Sequence, residues 1–406
     1  VSDLLDVPQG TLRLARYPVR AREQLRAWDA ADELLLAELA AADTAPVTVV
    51  VNDDFGAISV ALARREGACV HHVSDSFISH CATRANLAAN GIEADRVVLR
   101  GSLDPLPERI DLLVIRVPKA TVLLAEQLRV LRSHLHQGTR VIGAAMTRHL
   151  HTAALDVFAD VIGPTRTSLA TRKARLVFAT VDPASTPTPS HWPVTWRPAT
   201  RSFGDRSPVV VAYAGVFAAE QLDTGTALLL DALAADRTPP PEGAAVVDLA
   251  CGTGVVGVHV ALADPAAQVT FVDESFAAVA SAAATWRATF GPDRPARFVV
   301  GDCLDTVHHG EPIAAGSADR VIVNPPFHSG HALTDAIAWD MFVQSRRVLR
   351  RGGDLWVVGN RHLGYHVKLK RVFGNAAVVA SNAHFVVVRA TRAESPARPT
   401  RGQVRR

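Results

Sequence analysis

Four consecutive residues, Asn324-Pro325-Pro326-Phe327, close an apolar run, Val321-Ile322-Val323, that reads as a strand. Two adjacent prolines donate no backbone hydrogen bonds and fix φ near −65°, so the segment is frozen. Its carbonyl oxygens are then held in one direction. The Asn324 side-chain carbonyl and the Pro325 backbone carbonyl can together accept both hydrogens of one –NH₂ group, and Phe327 can stack on a flat ring. This arrangement suits a planar amine. Holding that amine rotates electron density onto nitrogen for in-line attack on a sulfonium methyl, and positioning supplies most of the effect. The bland reading of a Pro-Pro segment is a rigid turn, and the residues upstream argue against it.

Upstream, Asp248-Leu249-Ala250-Cys251-Gly252-Thr253-Gly254 runs from a strand into a glycine-rich turn and then a helical pattern. Glycines there let a backbone approach a ligand closely. Asp273 ends the next strand with a carboxylate placed to accept from both ribose hydroxyls, and Glu274 follows it. Turn and acid together indicate an adenosine-type cofactor, with a dinucleotide as the runner-up. The chain lacks G-x-x-x-x-G-K-[ST], which weighs against a nucleoside triphosphate. Gly301-Asp302-Cys303 follows the third strand, where Asp302 can accept from an adenine amino group. Phe217 and Gly225 lie ahead of these motifs. One reading has Phe217 covering the cofactor and Gly225 contacting its far end; the other has Asp223 or Thr224 capping a helix whose neighbours are ordinary core. His328, His331, Trp339, Asn360 and Arg361 are further polar or aromatic candidates, with solvated loop residues as the plainer reading.

The elements that must position these residues alternate strand and helix. Strands are expected at 245–249, 269–272, 297–300, 320–323, 354–358, 377–380 and 384–389, with helices at 277–289 and 338–349. Such alternation implies a parallel sheet covered on both faces. Only Ser381-Asn382-Ala383 separates the last two strands, which forces that pair antiparallel.

The same plan occurs twice. Val49-Val50-Val51-Asn52-Asp53-Asp54-Phe55-Gly56 echoes the glycine turn, and Val73-Ser74-Asp75-Ser76 echoes Val272-Asp273-Glu274-Ser275. Asp111 to Pro118 echoes Asp319 to Pro326, Arg129-Val130-Leu131-Arg132 echoes Arg347-Val348-Leu349-Arg350, and Arg148-His149-Leu150 echoes Arg361-His362-Leu363. Echoes in one order, about 200 residues apart, indicate a duplicated domain. The first copy has acids where the glycines stand and Arg116-Val117-Pro118-Lys119 in place of Asn-Pro-Pro-Phe, so it reads as a fold without its cofactor site. The expected division is a degenerate domain at 1–181, a Pro-rich connector at 182–207, a catalytic domain at 208–391 and a basic tail at 392–406. Trp192 and Trp196 suggest that the connector packs on a surface.

Composition sets the remaining bounds. The chain has 406 residues, 48% hydrophobic and 20% charged, as in a soluble globular protein. No stretch of eighteen apolar residues suggests a membrane span, and no signal peptide is expected. Four cysteines without a C-x-x-C pair fit a reducing cytoplasm rather than a disulfide or zinc framework. No metal is expected. The histidine pairs His71-His72 and His308-His309 read as surface or loop residues. Net charge is +3, yet from Arg361 onward ten Lys/Arg face one acid, Glu394. A basic end suits a polyanionic partner, and equally a solvated tail.

Taken together, Asp248-x-x-Cys-Gly-Thr-Gly, Val272-Asp273-Glu274-Ser275 and Asn324-Pro325-Pro326-Phe327-His328 resemble the class I methyltransferases of the ribosomal RNA guanine-N2 family. That family joins a degenerate N-terminal methyltransferase domain to an active C-terminal one. His331-Ala332-Leu333-Thr334-Asp335, Asn360-Arg361-His362-Leu363, Trp28 to Glu33 and Val117-Pro118-Lys119 look closer to its large-subunit (23S) branch than to its small-subunit (16S) branch. The similarity covers all but the connector and the tail.

The resemblance implies tandem Rossmann-like domains, a seven-stranded mixed sheet in the second, S-adenosyl-L-methionine as donor and N2 of a guanine in ribosomal RNA as acceptor. It assigns Asp248 and Gly252 to the cofactor turn, Asp273 to the ribose, Asp302 to the adenine and Asn324, Pro325, Pro326 and Phe327 to the base, and Ala250, Cys251, Thr253, Gly254, Glu274 and Cys303 beside them are expected to bind the cofactor. Relatives carry glycine where Ala250 stands, which an alanine tolerates with φ below zero. A monomer acting in the cytoplasm on ribosomal RNA, with neither membrane nor metal, is the expected setting. Three alternatives remain: a small-subunit target, another amine (adenine N6 or a protein glutamine, the latter disfavoured by Phe327), or an RNA-binding assembly factor with a vestigial fold.

Overall fold

The structure, a computed structural model, describes residues 3–20, 23–40, 45–326 and 331–393, without the side chains of 331–334. Two compact units divide the chain. The first comprises Val1–Val194, Ala212–Ala219 and Glu274–Ala280; the second comprises Thr195–Val211, Glu220–Asp273 and Ser281–Arg406.

The first unit is built on a seven-stranded sheet, in spatial order Val97–Arg100, Cys69–Val73, Val47–Val51, Ile110–Arg116, Leu135–Met146, Ala174–Thr180 and Thr165–Thr167. The first five strands run parallel and the last two pair antiparallel. Val49, Val50, Leu113, Val114 and Ile115 are fully buried, as expected of strands covered on both faces.

The second unit repeats the pattern: Thr306–Val307, Arg297–Asp302, Gln268–Asp273, Ala245–Leu249, Ala318–Val323, Leu349–Asn360, Phe385–Thr391 and Ala377–Ser381. Five strands are parallel, and the pair at the far edge is antiparallel, as the short 381–383 connection requires. Numbered along the chain without the two-residue strand, both sheets read 3-2-1-4-5-7-6. Duplication therefore extends from sequence echoes to topology.

Two expectations need correction. The second sheet has eight strands, because Thr306–Val307 turns back antiparallel on Gly301 and Asp302. A two-residue strand has no periodicity to read. His71 and His72 are not surface residues: they lie within Cys69–Val73, 7% and 0% exposed. Ser59 and Ser79 hydroxyls bond the two His72 ring nitrogens at 2.9 Å each. Burial pushes the His72 imidazole down to about 3, so it is neutral.

Connector residues Trp196 and Phe203 pack into the second unit's core with Val210, Leu229 and Leu230. Among the described residues, no helix is long and apolar enough to cross a membrane, and no group of three His, Cys, Asp or Glu is placed to hold a metal ion.

Candidate active site

In the second unit, adjacent parallel strands deliver the sequence motifs to one edge of the sheet. Leu249, Val272 and Val323 are in register, and Asp273 pairs with Val300 two residues before Asp302. The glycine turn, Asp273, Asp302 and Asn324 thus all follow or end strands at the carboxyl edge, where open α/β sheets bind ligands.

The turn is shaped by left-handed residues. Ala250, Gly252 and Gly254 have φ of 57°, 51° and 77°. Ala250 therefore does not take the negative φ expected of an alanine, because the chain must reverse there whatever side chain it bears. Gly254 caps the helix Val255–Ala263, and a Cβ on it would lie 2.8 Å from the backbone of Ala282. Gly257, one turn on, faces Phe271, whose ring would be 2.3 Å from an added Cβ. These two glycines bring the helix onto its neighbours.

Asp248 is 3% exposed and accepts a hydrogen bond from the Gly257 N–H at 2.8 Å. Its carboxylate supports the helix start from beneath the turn. Burial pushes its carboxyl from 3.8 up to about 8, the Gly257 N–H opposes this, and Asp273 adds to it. Asp273 accepts from the Gly252 N–H at 3.0 Å and is half-buried. Cys251 and Cys303 are buried, and burial raises both thiols well above the ordinary range, which favours the protonated thiol. Thr253 is buried at 4% exposure. Asp302 ends its strand half-buried, and Cys303 beside it has φ 53°.

Asn324 follows Ala318–Val323 directly. Its Nδ2 donates to Thr226 Oγ1 at 3.0 Å and lies 3.5 Å from Asp223 Oδ2. Asn324 Oδ1 is buried and has no hydrogen-bond partner. Such an acceptor is costly unless something fills it, and it marks a place where a donor belongs. Pro325 is buried and Pro326 exposed. Phe327 and His328 lie outside the described residues, as do the side chain of His331 and the tail from 394 onward.

Asp223 is the helix cap: its carboxylate accepts from the Thr226 N–H at 2.8 Å. Gly225 is buried, with room for no side chain between Asp223 and the Phe385 ring, each 3.0 Å from an added Cβ. Packing thus accounts for Gly225. Thr226, the residue that fixes Asn324, was missed by sequence reasoning; the Asp-x-x-Thr spacing signalled only a cap. Phe217 and Glu274 belong to the first unit. Phe217 is 48% exposed, and Glu274 accepts from Ser76 Oγ at 2.6 Å.

The chain matches two family models, the RLMG N-terminal domain over residues 2–183 and the methyltransferase small domain over residues 208–389. It is 48% identical to the ribosomal RNA large subunit methyltransferase G of Streptomyces avermitilis, covering 97% of this chain and all of that one. The enzyme of that name from Aeromonas salmonicida is 43% identical, over 96% of this chain and 99% of that one. Among solved structures, the T. thermophilus 16S rRNA N2 G1207 methyltransferase, in complex with AdoMet and guanosine, superposes with a TM-score of 0.75. It is 22% identical and the match covers 96% of this chain and 97% of that one, which establishes the shared class I methyltransferase fold. With near-complete coverage at such identity, the chain belongs to the ribosomal RNA large subunit methyltransferase G family.

Proposed function

We propose that this protein transfers a methyl group from S-adenosyl-L-methionine to N2 of a guanine in large-subunit (23S) ribosomal RNA. The observation that carries the reading is Asn324 Oδ1, a buried acceptor without a donor at the carboxyl edge of the sheet. The residues present fit the cofactor. The glycine turn offers a backbone cradle, Asp273 a carboxylate for a ribose, and Asp302 one for an adenine amino group. When bound, S-adenosyl-L-methionine supplies an electrophilic methyl on a sulfonium.

The chain's own residues do the rest. Asn324 Oδ1 and the Pro325 carbonyl accept the two hydrogens of the guanine amine and fix its plane. A guanine held this way must leave its stack, at a cost of a few kcal/mol unless already unpaired. The product ammonium is acidic enough to lose its proton without a strong base. Residues 208–391 carry this chemistry in our reading, 1–181 serve RNA binding or rigidity, 182–207 connect, and 392–406 form a basic tail. A cytoplasmic monomer suits such a role. The family membership favours a large-subunit target over a small-subunit one.

The test uses purified full-length protein, labelled cofactor and ribosomal RNA, followed by nucleoside digestion and mass spectrometry. Methyl on N2 of guanine in 23S RNA is expected. Asn324→Ala should abolish transfer while retaining cofactor binding and the thermal melt. Label on adenine N6 or on protein, or transfer surviving Asn324→Ala, overturns the reading.

A further inference from the structure

In the first unit, the strands Val47–Val51 and Ile110–Arg116 lie side by side, and from them the sheet extends in opposite directions. Open α/β sheets bind ligands at such a switch point, outside the carboxyl ends of the strands. Asn52 to Phe55 leave the first of these strands, and Arg116 ends the second. A cavity opens there, and Arg26, Trp28, Asp54, Phe55 and Arg116 are among the residues that line it. At about 120 Å³ it equals the volume of roughly four waters, at about 30 Å³ each. Drug-sized ligands occupy about 300–1,000 Å³, so a nucleoside does not fit here and a molecule of a few heavy atoms does.

The duplication supplies the comparison. Asn52 and Gly56 have φ of 62° and 79°, against 57° and 77° at Ala250 and Gly254, so the turn keeps its backbone shape. Its side chains differ. Asp54 stands at the place of Gly252, which puts a carboxylate where the second copy's turn is bare backbone. Arg116, at the place of Asn324, pairs with Asp29 and Asp32.

Most charges around the cavity are committed. Asp53 accepts from the Ser59 N–H and hydroxyl, both at 2.8 Å. Arg16 pairs with Glu23 at 3.6 Å and lies over the Phe55 ring at 4.4 Å. Two charges are not. The Asp54 carboxylate makes no ion pair or hydrogen bond among the described residues. The Arg26 guanidinium makes none either and only lies over the Trp28 ring, at 5.5 Å. Both residues are exposed, they carry opposite charge, they line one cavity, and they do not pair with each other. A ligand with a single charge answers one of them and is repelled by the other. The Trp28 and Phe55 rings add π faces that favour an ammonium.

We propose that this cavity binds a small zwitterion, a free α-amino acid, with its ammonium on Asp54 and its carboxylate on Arg26. Each contact is a charge-assisted hydrogen bond. The site belongs to the first unit and does not depend on what the second unit methylates. A ligand held only by the folded chain also raises its stability by mass action.

The experiment titrates the full-length protein with glycine and L-alanine by saturation-transfer NMR, with acetate and methylammonium as singly charged probes. Dissociation constants on the order of 1 mM are expected for the amino acids, from two charged contacts on a ligand of few atoms. Acetate and methylammonium should each bind about fivefold more weakly or worse, having lost one exposed charged contact. L-Alanine should weaken by the same factor, about fivefold, in Asp54→Asn and in Arg26→Gln. Asp273→Asn, in the second unit, should bind L-alanine like wild type. L-Alanine at about 20 mM should raise the melting temperature of wild type and leave that of Asp54→Asn and Arg26→Gln nearly unmoved. No saturation by about 20 mM would overturn the proposal. So would acetate or methylammonium binding as tightly as L-alanine, or affinity that Asp273→Asn removes and Asp54→Asn and Arg26→Gln retain. The singly charged probes use wild type alone, so they decide the matter whether or not a variant folds.

Discussion

Thr226 decides which way Asn324 faces. Asp223 Oδ2 can only accept, so the Thr226 hydroxyl, 3.2 Å away, donates to it. Thr226 Oγ1 then offers a lone pair, and the Asn324 amide turns its NH₂ toward it at 3.0 Å. The amide carbonyl is left facing the other way, buried and unpartnered. A carboxylate two hydrogen bonds removed thus sets the polarity of the Asn324 acceptor.

Thr226→Val keeps the shape and removes the acceptor. The amide can then flip, and the methyl-transfer rate constant should fall about fivefold, the worth of one neutral hydrogen bond at roughly 1 kcal/mol. Thr226→Ser should restore it, and cofactor affinity should stay within about twofold of wild type. Single-turnover transfer measures this. A valine variant as fast as wild type would show that Thr226 merely packs.

Much of the fold and part of this site were legible in the sequence. Apolar runs alternating with helical patterns gave the parallel sheet, and Asp273, Asp302 and Asn324 end or follow strands that the sheet aligns. Thr226 was not legible, because its bond to Asn324 spans 98 positions and leaves no periodic trace. His71 and His72 looked like polar loop residues, because the serines that satisfy His72 come from two other segments. Asp248 was placed correctly on its strand, but only packing shows that its carboxylate lies beneath the turn.

Ala250 is a correctable flaw. Its φ of 57° is the region that costs an L-residue about 1–2 kcal/mol, and Asn52, the residue at the same point of the first copy, has φ 62°. Asparagine tolerates this conformation and alanine does not. Ala250→Gly relieves the strain but adds unfolded-chain entropy of roughly 0.5–1 kcal/mol. The net expectation is a gain of about 0.5–1 kcal/mol in urea unfolding with transfer activity retained. Destabilisation by that substitution would mean the alanine methyl packs usefully.

Asp248 predicts a pH dependence. Its folded carboxyl titrates at about 8 against an ordinary 3.8. Between these values the folded state holds the proton more tightly than the unfolded chain does. This group therefore stabilises the fold least at high pH, and its contribution is lost as pH rises from about 4 to about 8. Asp248→Asn keeps a carbonyl for the Gly257 N–H and does not ionise. The difference in melting temperature between variant and wild type should move in the variant's favour as pH rises from 5 to 8. A pH-independent difference would show that Asp248 does not titrate differently on folding.

Arg116 occupies in the first copy the place that Asn324 holds in the second, and its guanidinium pairs with Asp29 at 2.9 Å and with Asp32. The ion pair fills the end of the strand where an amine acceptor would otherwise stand. Asp32 is buried, and desolvation lifts its carboxyl to about 7 despite Arg116, with Asp29 and Asp53 adding to the rise. Arg116→Met leaves that carboxyl with no cation, and breaking such a buried pair costs about 3–5 kcal/mol. Asp32 escapes part of the cost by holding its proton. Wild type gains most from the pair above pH 7, where Asp32 is ionised, and least at pH 5, where it is neutral. The loss of stability in Arg116→Met, measured by urea unfolding, should accordingly be larger at pH 8 than at pH 5. An equal loss at both values would mean that Arg116 acts through Asp29 and its aliphatic packing alone, with Asp32 protonated throughout.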